Sequence, residues 1–178
     1  REPAEMVFPP LRTVEQIQES LQPGEAILAF FATSRHLYGF LMNKKDYAYW
    51  QVGSPQMLGQ KTVKLLRAMG HIQKNYALTI AEVSDPAWKQ AAKEVLDELL
   101  KGSPADFTQD FEELIIVPDG LLWYVPFEAL QVNIGGRLRP LISRFRIRYA
   151  PTASLCTPIG WQTKPSGTTG VVVGRLYP

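Results

Sequence analysis

The chain has 178 residues, 46% of them apolar and 11% aromatic, enough to bury a substantial core and to argue against disorder. A formal charge of +2 is too small to demand a nucleic-acid or membrane partner, and a single cysteine excludes an internal disulfide and fits a reducing compartment. No apolar run approaches the roughly 20 residues that span a bilayer and no signal-peptide pattern is present, so we expect a cytoplasmic protein.

Residues 1–12 hold Pro3, Pro9 and Pro10 and have the composition of a linker or of an arriving strand end. Thr13 with Gln16 three positions on predicts a capping box, after which Val14, Ile17 and Leu21 share one helical face as far as Pro23-Gly24. Residues 1–24 are therefore expected to form a linker and a short helix. Strand-like runs follow at residues 25–33, 36–43 and 47–52, separated by Ser34-Arg35 and by Lys44-Lys45-Asp46. Joints this short favour antiparallel pairing, hence a β-meander. Within it Phe40, Tyr47, Tyr49 and Trp50 form an aromatic group that is expected to pack in a core or between lobes rather than to stack a ligand.

Ser54-Pro55 predicts a second helix with Leu58, Leu65, Leu66 and Met69 on its apolar face, closed by Gly70. Asp85-Pro86 predicts a third, in which Trp88, Ala92, Val95, Leu96, Leu99 and Leu100 keep 3.6-residue spacing up to Gly102. The link at residues 70–84 carries no decisive pattern. Residues 114–130, LIIVPDGLLWYVPFEAL, then join a short apolar strand to Pro118-Asp119-Gly120 and to a second apolar run interrupted by Pro126. The first four residues predict a strand covered on both faces, and Pro-Asp-Gly predicts a turn in which aspartate bonds the backbone ahead. Trp123, Tyr124 and Phe127 mark a dense local core.

Residues 144–150 predict another strand, with Phe145, Ile147 and Tyr149 on one face and Arg144, Arg146 and Arg148 on the other. That arginine face is expected to be solvated or ion-paired, with docking of a protein partner as the alternative. No aromatic residue shares it, so the stacking half of a single-strand nucleic-acid site is missing. Residues 161–169 predict a loop and residues 171–173 a last strand. Strands, then helices, then strands with short helical pieces give an α/β fold: a mixed sheet that begins with an antiparallel β-meander and is flanked by helices. The chain opens without Met and stops just after a Val-rich strand and Gly174, where an α/β unit continues into a loop and helix, so we expect a truncated piece of a longer protein.

Chemistry-bearing motifs are sparse. There is no Gly-x-Gly-x-x-Gly, and Gly170-Val-Val-Val-Gly174 lacks the Lys-Ser/Thr that grips phosphate, so no nucleotide cofactor is expected. His36, His71 and Cys156 are isolated from one another, which argues against a metal site and leaves both histidines as surface or half-buried polar residues. Cys156 has no charged residue within seven positions on either side to lower its pKa, and we expect it to be a small buried hydrophobe rather than a nucleophile. Asp119, at a strand's carboxyl end, could shape a site, but a turn role is the stronger expectation.

Taken in order, LQPGEAILAFFAT with HLYGFLMN, then LIIVPDGLLWYVPFEAL, LISRFRIRYAPTASL and GVVVG resemble the amino-terminal part of the CHAT family, caspase-like domains of bacterial proteins that often follow TPR repeats. The residues that match the family pattern are Pro118, Asp119, Gly120, Pro126, Phe127, Glu128, Leu130, Tyr149, Pro151 and Ser154. The resemblance implies a partial caspase-like fold over residues 25–178 and, in complete members, cysteine-peptidase chemistry carried by His-Gly and Ser-Ala-Cys blocks that lie beyond the Val-Val-Val-Gly strand. Gly70-His71 and Ser154-Leu155-Cys156 mimic fragments of those blocks in the wrong order, so no catalytic role is carried onto His36, His71 or Cys156. The expectation is a non-catalytic portion that supports or regulates a catalytic half, inactive alone. Its partners would be the rest of the CHAT domain, TPR repeats and a protein partner or substrate, without nucleic acid, membrane, metal or cofactor. The rival expectations are a regulatory interaction module in a parent without a working dyad, and a small-molecule-binding domain, for which no pocket is marked.

Overall fold

A computed structural model describes residues 11–70, 79–81, 86–104 and 111–156. The first helix, α1 (Val14–Ser20), opens with the expected capping box: Thr13 Oγ1 accepts the Gln16 N–H at 3.3 Å and Gln16 Oε1 accepts the Thr13 N–H at 2.9 Å. The meander follows as β1 (Glu25–Ala32), β2 (Leu37–Asn43) and β3 (Tyr47–Gln51), with β1–β2 and β2–β3 both antiparallel. Then come α2 (Pro55–Ala68), α3 (Ala87–Leu99), β4 (Glu113–Val117), the hairpin β5 (Gln131–Ile134) and β6 (Arg137–Pro140), and β7 (Arg146–Tyr149). Among the described residues one five-stranded sheet has the order β3-β2-β1-β4-β7, in which β4 runs parallel to both β1 and β7. The fold is thus mixed α/β with an amino-terminal meander, consistent with a partial caspase-like fold. His71 and the link around it, Asp85, and the expected loop and strand after Cys156 lie outside the described residues.

Two-residue periodicity assigns each strand residue to one sheet face. On one face Leu28, Phe30, Trp50, Leu114 and Ile116 pack against α2 and α3, whose contributions include Leu58, Leu65, Ala92, Val95 and Leu99, all buried. On the other, Ile27, Met42, Ile115 and Val117 pack against Ile17 and Leu21 of the α1 segment and against Cys156. Strand β4 is therefore covered on both sides, as its unbroken apolar run implies.

The aromatic group of the meander is divided by this alternation. Trp50 points inward, lies over Gly39 of β2, and its indole N–H donates to the Leu99 carbonyl at 2.9 Å. That carbonyl belongs to the last turn of α3, where no intrahelical donor remains, so the indole ties the sheet to the helix end. Phe40, Tyr47 and Tyr49 sit on the opposite face with ring centroids 6.3–6.4 Å apart, and Tyr49 is 67% exposed. The core expectation holds for Trp50 and fails for the two tyrosines.

A second correction concerns the run after Pro-Asp-Gly. Residues Gly120–Tyr124 and Phe127–Ala129 are 3-10 turns. Near-threefold periodicity sends Leu122 and Val125 inward and leaves Trp123 and Tyr124 exposed, so only Phe127 of the three aromatics belongs to the core.

Candidate functional site

Because β1, β4 and β7 are parallel, Ala32, Val117 and Tyr149 end at the same edge of the sheet, the position where α/β folds assemble sites. Pro118, buried, turns the chain out of β4. Asp119 then reaches sideways: its Oδ2 accepts the Ala32 N–H at 2.8 Å, joining the end of β1 to the turn after β4. The expected bond to the backbone ahead is not made by its side chain; its carbonyl instead accepts the Leu122 N–H at 3.1 Å. Gly120 follows at φ +54°, in the left-handed region that glycine adopts most readily.

The rest of the Pro-Phe-Glu block builds the wall beneath this edge. Phe127 is fully buried, tilted against Phe30 at 5.9 Å and edge-on to Tyr149 at 6.4 Å. Leu130 is fully buried and Pro126 half-buried. The Tyr149 hydroxyl donates to Glu128 Oε2 at 2.9 Å. Burial and the adjacent carboxylate hold that phenol protonated well above its ordinary range. Pro151 is exposed and Ser154 half-buried in the 3-10 turn Ala153–Leu155. The family-pattern residues are therefore a mixture of core, staple and surface positions at one end of the sheet.

The three arginines do not share one face. Arg144 lies in the turn after the 3-10 turn Leu141–Ser143, with its guanidinium 4.9 Å from the centre of the Phe145 ring, and not on β7. The Pro140-led turn delays entry into the strand until Arg146. Arg146, largely exposed, pairs with Glu113 at 3.2 Å. Arg148 is the hub: its Nε donates to Glu113 at 2.8 Å, Nη2 to Glu25 at 3.3 Å, and Nη1 to the Cys156 carbonyl at 2.7 Å. One side chain thus joins β1, β4, β7 and the segment after β7. In the sequence Arg148 is one of three alternating arginines with nothing to set it apart, because Glu25 lies 123 positions away.

Cys156 is fully buried in the second core, and its thiol donates to the Thr152 carbonyl at 3.5 Å. Burial pushes the thiol up to about 12, against the downward pull of the Arg148 guanidinium. At neutral pH roughly one molecule in 10⁵ would carry the thiolate, the form that attacks. His36 sits exposed in the β1–β2 joint, its backbone N–H donating to Thr33 Oγ1 at 2.9 Å. Among the described residues no group of three or more His, Cys, Asp or Glu could hold a metal ion, and no helix is long and apolar enough to cross a membrane.

Compared with known families, the chain matches the model of the CHAT domain over residues 85–174, half of its length. No curated protein matches it. The matched stretch opens beside α3 and takes in β4, the Pro-Phe-Glu block, β7 and Cys156; the meander and α2 precede it.

Proposed function

The chain belongs to the CHAT domain family, and we propose that it is the non-catalytic amino-terminal portion of a CHAT-type, caspase-like cysteine peptidase, a platform that supports or regulates the catalytic half. The burial of Cys156 carries this reading. It is the chain's sole cysteine, it is sealed beneath the sheet, and its protonated thiol faces the Thr152 carbonyl in place of an imidazole. A peptidase nucleophile needs the thiolate, a base within hydrogen-bond reach and a path for substrate. Cys156 has the surroundings of a core residue.

The domain on this reading runs from residue 25, because β1 is hydrogen-bonded to β4 inside the same sheet although the matched stretch begins later. The edge carrying Ala32, Asp119 and Gly120 is the surface offered to the catalytic half, with Asp119 fixing the relative position of two strand ends. Family membership supports a bacterial cytoplasmic parent with TPR repeats as neighbour or sensor, and a protein partner or substrate.

Cleavage of a peptide library by the parent protein tests the reading. Cys156→Ala is expected to leave cleavage within about twofold of the unsubstituted parent. Loss of cleavage on that substitution, with an unchanged melting curve, refutes it. A parent that cleaves nothing in either form is instead a regulatory interaction module.

A further inference from the structure

Among the described residues β3 has a neighbour on one side only. Its outward backbone groups follow from the pairing with β2. Asn43 N–H donates to the Asp46 carbonyl at 3.0 Å and Val52 N–H to the Leu37 carbonyl at 2.9 Å, which sets the hydrogen-bonded positions of this ladder. Antiparallel pairs alternate, so Ala48 and Trp50 turn their backbone groups toward β2. Tyr47, Tyr49 and Gln51 turn theirs away from the sheet.

Among the described residues that edge carries no guard built into the strand itself. It has no proline, no lysine and no inward-pointing charge along its five residues, YAYWQ. Its exposed face bears the stacked Phe40, Tyr47 and Tyr49 rings, with Tyr47 42% and Tyr49 67% exposed. Three outward positions spaced two apart are symmetric about the middle one. An antiparallel copy of the same strand centred on Tyr49 therefore meets donors with acceptors throughout: Tyr49 opposite Tyr49, and Tyr47 opposite Gln51 in both directions. Three such pairs exchange about six hydrogen bonds. The same register puts Lys45 opposite Gly53 and Lys44 opposite Ser54, so the lysines of the β2–β3 joint do not confront one another. It also lays the two Tyr49 rings side by side and extends the aromatic stripe from one sheet into the next, covering rings that a single chain leaves in water.

We infer that β3 is a self-association edge, through which a second copy of this chain adds antiparallel across a two-fold axis at Tyr49 and joins the two sheets into one continuous sheet. A five-residue pairing is a small interface, and the dimer belongs to the weak, concentration-dependent class.

Sedimentation or light scattering of the chain between about 5 and 200 µM, a range suited to weak complexes, reads the association. The mass is expected to climb from 20.0 kDa toward twice that value. Tyr49→Lys places two ammonium groups opposite each other and is expected to hold the mass at that of one chain, with an unchanged circular-dichroism melt because the side chain is largely exposed. Tyr49→Glu is expected to do the same. Mixing the two variants in equal amounts restores the dimer, since unlike charges now meet at the axis, a recovery that a folding defect in either variant does not produce. A wild-type mass constant at 20.0 kDa, a Tyr49→Lys variant that still dimerises, or a mixture that stays monomeric each overturns the inference.

Discussion

Adding one methyl group at Gly39 tests the join between the meander and the helical layer. A Cβ at that position would lie 2.4 Å from Trp50 Cζ2 and 2.5 Å from Cε2, well inside van der Waals contact. The indole has to move by about 1 Å to restore ordinary contact distances near 3.5 Å. It is not free to do so, because its N–H is held at 2.9 Å by the Leu99 carbonyl and its ring is 5% exposed. Overpacking of this kind costs about 1–3 kcal/mol. Losing the indole bond leaves a buried helix-end carbonyl without a donor and adds about 1 kcal/mol. The reduced entropy of the unfolded chain on Gly→Ala returns about 0.4–1 kcal/mol. The net expectation for Gly39→Ala is a loss of about 2–3 kcal/mol, read as a urea midpoint lowered by roughly 1 M at an m-value near 2 kcal/mol/M. In a Trp50→Leu background the added methyl meets no indole, and the same substitution should cost less than about 0.5 kcal/mol, giving a coupling energy of the size found between touching residues. A Gly39→Ala change below about 0.5 kcal/mol in the wild-type background, or equal changes in both backgrounds, refutes the close-approach argument.

Phe127→Ala is expected to cost about 3–5 kcal/mol in the same urea melt, because the ring is fully buried between Phe30 and Tyr149. The two strand arginines should separate cleanly. Arg148→Ala strips partners from Glu25, Glu113 and the Cys156 carbonyl and should cost about 2 kcal/mol after allowance for its partial exposure, whereas Arg146→Ala should stay within about 0.5 kcal/mol. A reversed order would remove Arg148 as the hub. For Cys156 the raised folded pKa stabilises the protein fully below the unfolded value of 9.0, and that contribution is lost as pH rises from 9.0 toward about 12. A disulfide reagent at pH 8 should accordingly label the native chain about 10³-fold or more slower than urea-unfolded chain, the ratio of the two thiolate fractions. Equal rates would place the thiol at the surface.

Local signals were decisive where local physics decides. Thr13 and Gln16 form the capping box that their spacing announces, and the two short joints around β2 leave antiparallel pairing as the simple solution. The apolar run of β4 implies cover on both faces, and β4 has it. Hydrophobicity misleads at Trp123 and Tyr124, because the chain there follows a 3-10 path and spends its inward positions on Leu122 and Val125. Nothing in the composition distinguishes the two outcomes; the turn geometry after Gly120 does. Asp119 and Arg148 show a different limit. Their residue types permit a turn and a charged face, but their partners, Ala32 and Glu25, are supplied by β1 from far upstream. Such pairings exist only once the parallel strands have met.

The central place of β1 also fixes an order of events during synthesis. Its antiparallel partner β2 is only a few residues downstream, and hairpins of this size close in roughly 1–10 µs. Its parallel partner is not: Glu25 pairs with Glu113, and every other β1–β4 pair spans the same long interval. At about 5–20 residues per second a ribosome takes on the order of ten seconds to deliver β4. Throughout that time the open side of β1 stands unpaired, although α2 and α3, whose side chains bury Leu28 and Phe30, are made before β4. The slow step in making this sheet is the arrival of β4, and the unpaired side of β1 is the place most exposed to mispairing while it waits.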